Sequence, residues 1–136
     1  MGTWGTGPFD SDLAADFVDA MEGLPPEQVV EVLRRALQRA VDSGDRVDGG
    51  DGAEAVAAAA LVAAQVPGSG VVIDPDDGPK EPLPRLPVPL RALAREALRR
   101  VTGEGSELAR GWVDDGDGLA WRREVRSIGE GLDAGG

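Results

Sequence analysis

Apolar residues recur at helical spacing in several parts of the chain, and the clearest pattern lies in residues 26–42. Its apolar positions are Val29, Val30, Leu33, Leu37, Ala40 and Val41. Residues three or four apart share one face of an α-helix, so this pattern predicts an amphipathic helix with an inward apolar face. The two prolines at 25–26 suit the first turn of that helix. On the polar side, Glu31 can pair with Arg34 and Arg35.

Residues 53–66 differ from the other periodic segments because they are apolar on nearly every side. A helix that is apolar all round is a buried helix, so this segment predicts the central helix that the others surround. Its small alanine side chains allow neighbouring helices to approach closely. The segment is shorter than the roughly 20 apolar residues that span a bilayer.

Two amphipathic helices are predicted on either side of this pair. The first is capped by Asp10 or Ser11 and continues to about Glu22, where Gly23 ends it. Its inward residues are Leu13, Ala14, Phe17, Val18 and Met21. The second covers residues 89–101, with Arg91, Arg95 and Arg99 forming an outer stripe and with inward residues Leu90, Leu93, Ala94, Ala97, Leu98 and Val101.

The C-terminal part predicts two further helices separated by a turn. Ser106 caps a short helix that continues to Trp112, and Gly103 separates it from the preceding helix. Residues 114–118 (Asp-Asp-Gly-Asp-Gly) predict a turn. The last helix is indicated by apolar residues at helical intervals, which are Trp121, Val125, Ile128 and Leu132.

Three segments are predicted to be irregular. Residues 43–52, rich in glycine and aspartate, form a solvated loop, and residues 67–89 form a long surface loop that holds seven of the ten prolines. In the second loop, residues 71–73 are the strand-like run, and residues 82–87 suit either a rigid connector or a polyproline ligand. We favour the connector. Residues 1–9 form a glycine-rich arm that cannot be a regular helix.

The glycine-rich arm has two interpretations. Trp4 and Phe9 can anchor it as a strap over the core. Alternatively, its glycines can cradle a phosphate, but no strand precedes them and no Gly-Lys-Ser or Gly-Lys-Thr follows. The strap is therefore the better interpretation. Together these elements predict an all-α single compact domain over residues 1–136, with five or six helices around the alanine-rich helix. We expect Trp112 and Trp121 in its core beside the anchors of the arm.

Composition excludes several kinds of chemistry. The chain has no Cys, His or Tyr. It therefore lacks disulfides, an imidazole base, a Ser–His or Cys–His nucleophile pair, and nitrogen or sulfur ligands for zinc. Any catalysis would rest on carboxylates, on arginine or on Lys80, and no catalytic residue is assigned.

The formal net charge of −11 argues against binding to nucleic acid or to an anionic membrane surface. The charge is also segregated: residues 1–33 hold seven acidic and no basic side chains, and residues 85–110 hold six basic and three acidic ones. No signal peptide or membrane helix is recognisable, so we expect a cytoplasmic protein. The composition is typical of a GC-rich bacterial genome.

Asp10, Asp12 and Asp16 are the candidate metal ligands. Asp12 and Asp16 lie one helical turn apart, with Asp10 just before the cap, so their carboxylates could hold Mg²⁺, Mn²⁺ or Ca²⁺. The alternative is stabilisation of the helix N-terminus, which acidic first turns commonly provide. We favour the helix cap and expect no cofactor. The aspartates of residues 43–52 do not fit a calcium loop, because no register places Glu at its twelfth position.

The opening sequence resembles a known family. Met1-Gly-Thr-Trp-Gly-Thr-Gly-Pro-Phe-Asp10, followed by Asp12, Ala15, Asp16 and Phe17, is similar to the bacterial family called domain of unknown function 4259. The similarity continues through the alanine-rich helix to Ser106-Glu-Leu108, Trp112 and Trp121. It implies a compact, mainly helical single domain, and it carries over no activity, cofactor or site residue.

These observations leave three hypotheses for function. The first is a non-enzymatic acidic protein that binds a basic protein partner, as an immunity protein binds a toxin. The second is a metal-binding protein or hydrolase that uses only the carboxylates of Asp10, Asp12 and Asp16. The third is a structural subunit of a homo-oligomer. The missing catalytic side chains and the net charge favour the first hypothesis.

Overall fold

A computed structural model describes residues 12–43, 46–73, 78, 83–103 and 115–134 of the chain. Within these ranges the chain forms five α-helices and no β-strand, which confirms the all-α class. The helices are α1 (Asp12–Ala20), α2 (Pro26–Val41), α3 (Gly49–Ala64), α4 (Pro89–Thr102) and α5 (Asp115–Asp133). The predicted arm at residues 1–9 and the predicted helix at 106–112 lie outside the described residues.

The alanine-rich helix α3 lies at the centre of the fold. It packs against each of the other four described helices. Every residue from 55 to 63 is at most 2% exposed. Alanine permits this arrangement because a side chain of one methyl group lets a neighbouring backbone approach closely from any direction. The prediction of a buried central helix is therefore confirmed.

The N-terminal end of α3 differs from the sequence prediction. Residues 49–52 were expected in a solvated loop, but they form the first turn of the helix. Asp48 caps this turn, because its carboxylate accepts a hydrogen bond of 2.7 Å from the amide of Gly50. A Cβ atom on Gly50 would lie only 3.1 Å from Asp48 Oδ1, so glycine makes room for the cap. The loop prediction also missed Val47, which is 1% exposed.

The last helix also begins earlier than predicted. Residues 115–118 were expected in a turn but belong to the first turn of α5. This turn contains Gly116 and Gly118, and glycine has a low intrinsic helix propensity, so the local pattern favoured a turn. Further along α5, the inward residues agree with the prediction, since Trp121, Val125, Ile128 and Leu132 are all at most 3% exposed.

The remaining helices agree with their predicted faces at most positions. Val30, Val41 and Leu93 were predicted inside and are half-buried against the core, and Ala36 is buried although the prediction did not include it. In α2 the buried residues are Val29, Leu33, Ala36, Leu37 and Ala40, and in α4 they are Leu90, Ala94, Ala97, Leu98 and Val101. In α1, Leu13 was expected inside but is 36% exposed. It lies in the first turn of the helix, at the rim of the core. Gly23 has a φ of 78° just after α1, as expected for the glycine that stops a helix.

The proline-rich connection packs on the helices more closely than a surface loop does. Leu86 is 8% exposed, and Leu83, Val71 and Ile73 pack against the core. Residues 71–73 form no strand, because the described residues offer them no strand partner. Val72 points away and is 87% exposed. Residues 71–73 therefore place two side chains against the core and one in solvent.

Of the four aromatic residues expected in the core, Trp121 is confirmed, and Trp4, Phe9 and Trp112 lie outside the described residues. Among the helices that the structure describes, none combines the length and the hydrophobicity that crossing a bilayer requires. The described helices thus form a core around α3, and their outer surfaces carry the charged side chains.

Candidate functional site

The proposed metal ligands lie at or before the beginning of α1. Asp10 lies outside the described residues, as does the side chain of Asp12, which is the first residue of the helix. Asp16 is exposed one turn later. The helix confirms that the backbone positions of Asp12 and Asp16 share a face. Convergence of the three carboxylates stays a prediction, and so does the helix cap.

The outer side of α1 carries an acidic stripe formed by Asp16, Asp19 and Glu22. These residues follow one another at intervals of three, which places them along one side of α1 and the turn after it. Asp16 and Asp19 are exposed, and Glu22 is half-buried. Within the described part of the chain, no ion pair joins any of the three to a basic side chain. The acidic stripe therefore presents uncompensated negative charge.

The position of the acidic stripe does not favour helix stability. A helix carries partial positive charge at its N-terminus and partial negative charge at its C-terminus. Asp19 lies in the last turn of α1, and Glu22 lies in the turn that follows. Like charges three residues apart also repel each other. Stabilisation of the helix N-terminus suits the position of Asp12. It does not explain Asp19 or Glu22, which lie at or beyond the other end of α1.

Some other acidic residues form ion pairs within the fold, and the first is Glu31. Its carboxylate accepts hydrogen bonds from Arg34 Nε at 2.9 Å and from Arg35 Nε at 3.1 Å. This confirms the predicted pairing on α2. The hydrogen bond from Arg34 is the main reason that the pKa of Glu31 is lowered to about 2. Glu31 is therefore a carboxylate whose charge is matched on its own helix.

A second compensated cluster joins α2 to α3. Arg39 Nη1 lies 3.1 Å from Glu54 Oε1 and 3.8 Å from Asp51 Oδ1. Burial raises the pKa of Glu54 above its usual value, and the Asp51 carboxylate adds to that rise, while Arg39 opposes it. The arginine thus pairs with two acids that the fold brings to one place, and its single charge offsets only part of theirs. The sequence prediction placed Asp51 in a solvated loop, whereas the structure places it in the first turn of α3 beside Arg39.

The opposite charge collects in a groove between α4 and α5, which we call the arginine groove. Its volume is about 570 Å³. It is lined by four arginines, by Leu98, Thr102, Val125 and Gly129, and by the acidic residues Glu130 and Asp133; the arginines are Arg95, Arg99, Arg122 and Arg126. The groove therefore has an apolar floor and an excess of positive charge, in a chain whose net charge is −11.

Three of the groove arginines are oriented by neighbouring groups. Arg95 Nε lies 3.6 Å from Asp133 Oδ1, and Arg122 Nη1 donates a 3.2 Å hydrogen bond to the carbonyl of Thr102. Arg99 pairs with Glu96 on its own helix at 2.8 Å. A guanidinium has five N–H donors, so each of these contacts leaves donors for a ligand. Contacts within the fold thus hold these three side chains while leaving some of their donors unused.

Sequence reasoning found only half of the arginine groove. It recognised the stripe that includes Arg95 and Arg99 but placed it only on the outside of its helix. A second pair at the same spacing, Arg122 and Arg126, was a signal that it did not use. Because α4 and α5 lie side by side, the two pairs line one groove. A pattern within one helix cannot show which neighbour its polar face meets.

Comparison with known proteins identifies a family that this chain matches. A family model described as a domain of unknown function, DUF4259, matches residues 2–124. No curated protein and no solved structure matches the chain. The matched region includes the acidic stripe, all of α2, α3 and α4, and the groove residues up to Arg122. It supports the resemblance seen in the opening sequence.

Proposed function

Because the chain belongs to the DUF4259 family, a domain of unknown function, we propose its role from its own surface. It is a non-enzymatic, cytoplasmic bacterial protein that binds a basic protein partner through the acidic stripe on α1. The single observation that supports this role is the placement of Asp19 and Glu22. Both lie at the end of the helix where negative charge costs stability, and neither has a basic partner within the described residues.

The neighbourhood of the acidic stripe suits a protein interface. Uncompensated charge on one surface increases the rate at which an oppositely charged protein associates, and it disfavours acidic competitors. Leu13 lies on the same helix, one turn before Asp16, and is 36% exposed, which offers an apolar contact at that end of the stripe. Protein interfaces combine such apolar contacts with a polar rim. An immunity-type protein that neutralises a basic toxin would use a surface of this kind.

The test compares two variants that remove the same amount of charge. Asp19→Asn combined with Glu22→Gln changes the acidic stripe, and Glu27→Gln combined with Glu124→Gln removes two exposed charges elsewhere. Each protein is immobilised, and extract from the native cell is passed over it at low and at moderate salt. We expect wild type and the control to retain the same basic protein, more weakly at moderate salt. The stripe variant should lose it.

Two results would contradict the proposal. One is the absence of any specific, salt-sensitive partner for the wild-type protein. The other is equal retention of the partner by the stripe variant and by the control. Thermal unfolding provides a second readout, because removing charge from the C-terminal end of α1 should stabilise the chain by about 0.3–1 kcal/mol. A loss of partner together with a gain of stability would show that the acids serve binding.

A further inference from the structure

We propose that the arginine groove is a binding site for a small organic oxyanion. In this site Arg99, Arg122 and Arg126 hold the phosphate or carboxylate, and Leu98 and Val125 contact the apolar part of the ligand. This inference is independent of the proposed function, because the groove lies between α4 and α5 and shares no residue with the acidic stripe. The negative net charge of the whole chain does not predict an anion-binding site at this groove.

The size of the groove indicates the size of the ligand. Its volume of about 570 Å³ lies within the roughly 300–1,000 Å³ that is typical of small-molecule sites, and it exceeds what a bare inorganic ion fills. The floor is made of Leu98, Val125 and the bare backbone of Gly129. Leu98 and Val125 are at most 5% exposed, so the floor is a firm part of the core. An anion with an apolar body fits both the volume and the floor.

The charges of the groove indicate how the ligand is oriented. Arg95 lies beside Asp133, and Glu130 lies one turn from Asp133 on the same helix side. The positive charge at this end of the groove is therefore largely cancelled. At the other end, Arg122 lies near Thr102, and Arg126 is one helical turn further along α5. The anionic group of the ligand belongs at this end.

Structural roles explain some of these arginines but not all. Arg122 donates to a carbonyl at the C-terminal end of α4, where a cation stabilises the helix. Arg99 pairs with Glu96. Arg126, in contrast, forms no ion pair or hydrogen bond within the described part of the chain. The like-charged Arg122 lies one turn before it and Glu130 lies one turn after it, so its helix neighbours offset each other. The donors of Arg126 are therefore available to a ligand anion.

The experiment is a titration of the isotope-labelled full chain with phenyl phosphate at low salt, followed by NMR. We expect the largest shifts at groove residues such as Gly129 and Val125. Arg126→Gln and Arg122→Gln should each weaken binding by about tenfold or more, since each removes a charge-assisted hydrogen bond. Arg123→Gln is the matched control, because Arg123 is exposed on the next position of α5 and does not line the groove. It should bind as wild type does.

Three further ligands separate the contribution of the anionic group from that of the apolar body. Phenol lacks the charge and should not bind, and inorganic phosphate lacks the apolar body and should bind more weakly than phenyl phosphate. Benzoate distinguishes the two oxyanions, since the tighter of benzoate and phenyl phosphate identifies the preferred group. Gly129→Leu keeps every charge but fills the floor, because a Cβ there would already lie 3.9 Å from Leu98 Cδ1. It should abolish binding of phenyl phosphate.

The proposal is overturned if groove resonances do not respond to phenyl phosphate. It is also overturned if Arg123→Gln weakens binding as much as Arg126→Gln does, because the attraction would then be nonspecific. Equal affinity for inorganic phosphate and phenyl phosphate would rule out an organic ligand. Thermal melting of each variant shows whether it is folded. Arg126→Gln should melt as wild type does, because Arg126 makes no described contact that folding needs.

Discussion

The side chain of Gln65 binds the backbone of Leu86 and that of Pro84, two residues earlier, as a strand partner would. Gln65 Oε1 accepts a hydrogen bond of 2.9 Å from the amide of Leu86, and Gln65 Nε2 donates one of 2.9 Å to the carbonyl of Pro84. Gln65 caps the C-terminal end of α3. One amide side chain therefore attaches the proline-rich connection to the central helix, and it places Leu86 in the core.

Replacing this amide should destabilise the protein. Gln65→Ala removes two partly buried hydrogen bonds and leaves the amide of Leu86 and the carbonyl of Pro84 without their partner. We expect the free energy of unfolding to fall by about 1–3 kcal/mol, measured by urea denaturation. Gln38→Ala is the control, because Gln38 makes an exposed hydrogen bond to Asp42. A loss at Gln65 no larger than that at Gln38 would show that the attachment contributes little.

A second prediction concerns two glycines of α5 that differ in their surroundings. A Cβ on Gly131 would lie 2.7 Å from Val71 Cγ2 and 3.3 Å from the carbonyl oxygen of Ser69. Gly131→Ala should therefore destabilise the chain by about 1–3 kcal/mol, because the connection must move away. Gly129→Ala has room for its methyl group and should be stabilising by about 0.5–1 kcal/mol, since alanine favours a helix.

A double variant tests the cause of that difference. Val71→Ala removes the closest atom, Val71 Cγ2, so it should recover part of the stability lost in Gly131→Ala. The contact with Ser69 remains, and recovery should be incomplete. Chemical denaturation of the single and double variants gives the coupling energy. Strict additivity of the two substitutions would mean that Val71 is not the obstacle.

The third prediction concerns two glutamates whose pKa values are shifted in opposite directions. The pKa of Glu31 is lowered to about 2 by its hydrogen bonds with Arg34 and its other contacts. Its contribution to stability is present above the unfolded pKa and is lost as the pH falls toward 2. The pKa of Glu54 is raised, first by burial. Its contribution is present below the unfolded pKa and is lost as the pH rises through the folded value.

The neighbours of Glu54 allow a test in both directions. Arg39→Gln should raise the pKa of Glu54 further, because the arginine opposes the effect of burial. Asp51→Asn should lower the pKa of Glu54, because a neighbouring negative charge is removed. NMR titration of the glutamate carboxyl groups measures both, with the Glu31 signal as an internal reference. A shift of the same sign in the two variants would contradict this arrangement.

Several features of the fold could be predicted because they depend on local sequence. The spacing of Leu33 and Leu37 in α2 has helical periodicity, and a run such as Ala57 to Ala60 has no polar face to expose. Gly23 stops a helix because glycine adopts positive φ without strain. Each of these inferences needs only a few neighbouring residues. The predicted first residues of α3 and α5 were wrong, because glycine-rich first turns have a low intrinsic helix propensity. The surrounding fold stabilised these turns as helix.

The sequence by itself determined that the chain is helical, that the alanine-rich helix is buried and that acidic residues dominate. It did so because periodicity and composition act locally or over the whole chain. Only the tertiary structure decided that Arg99 and Arg126 line one groove, that Gln65 binds Leu86, and that Arg39 pairs with two acids of α3. The physical reason is that each contact joins residues far apart in the chain, and helix packing alone selects which polar faces meet. Recognising the acidic stripe on α1 required both the sequence and the tertiary structure. The spacing of its residues is visible in the local sequence. Only the tertiary structure shows that no basic side chain pairs with them within the described residues.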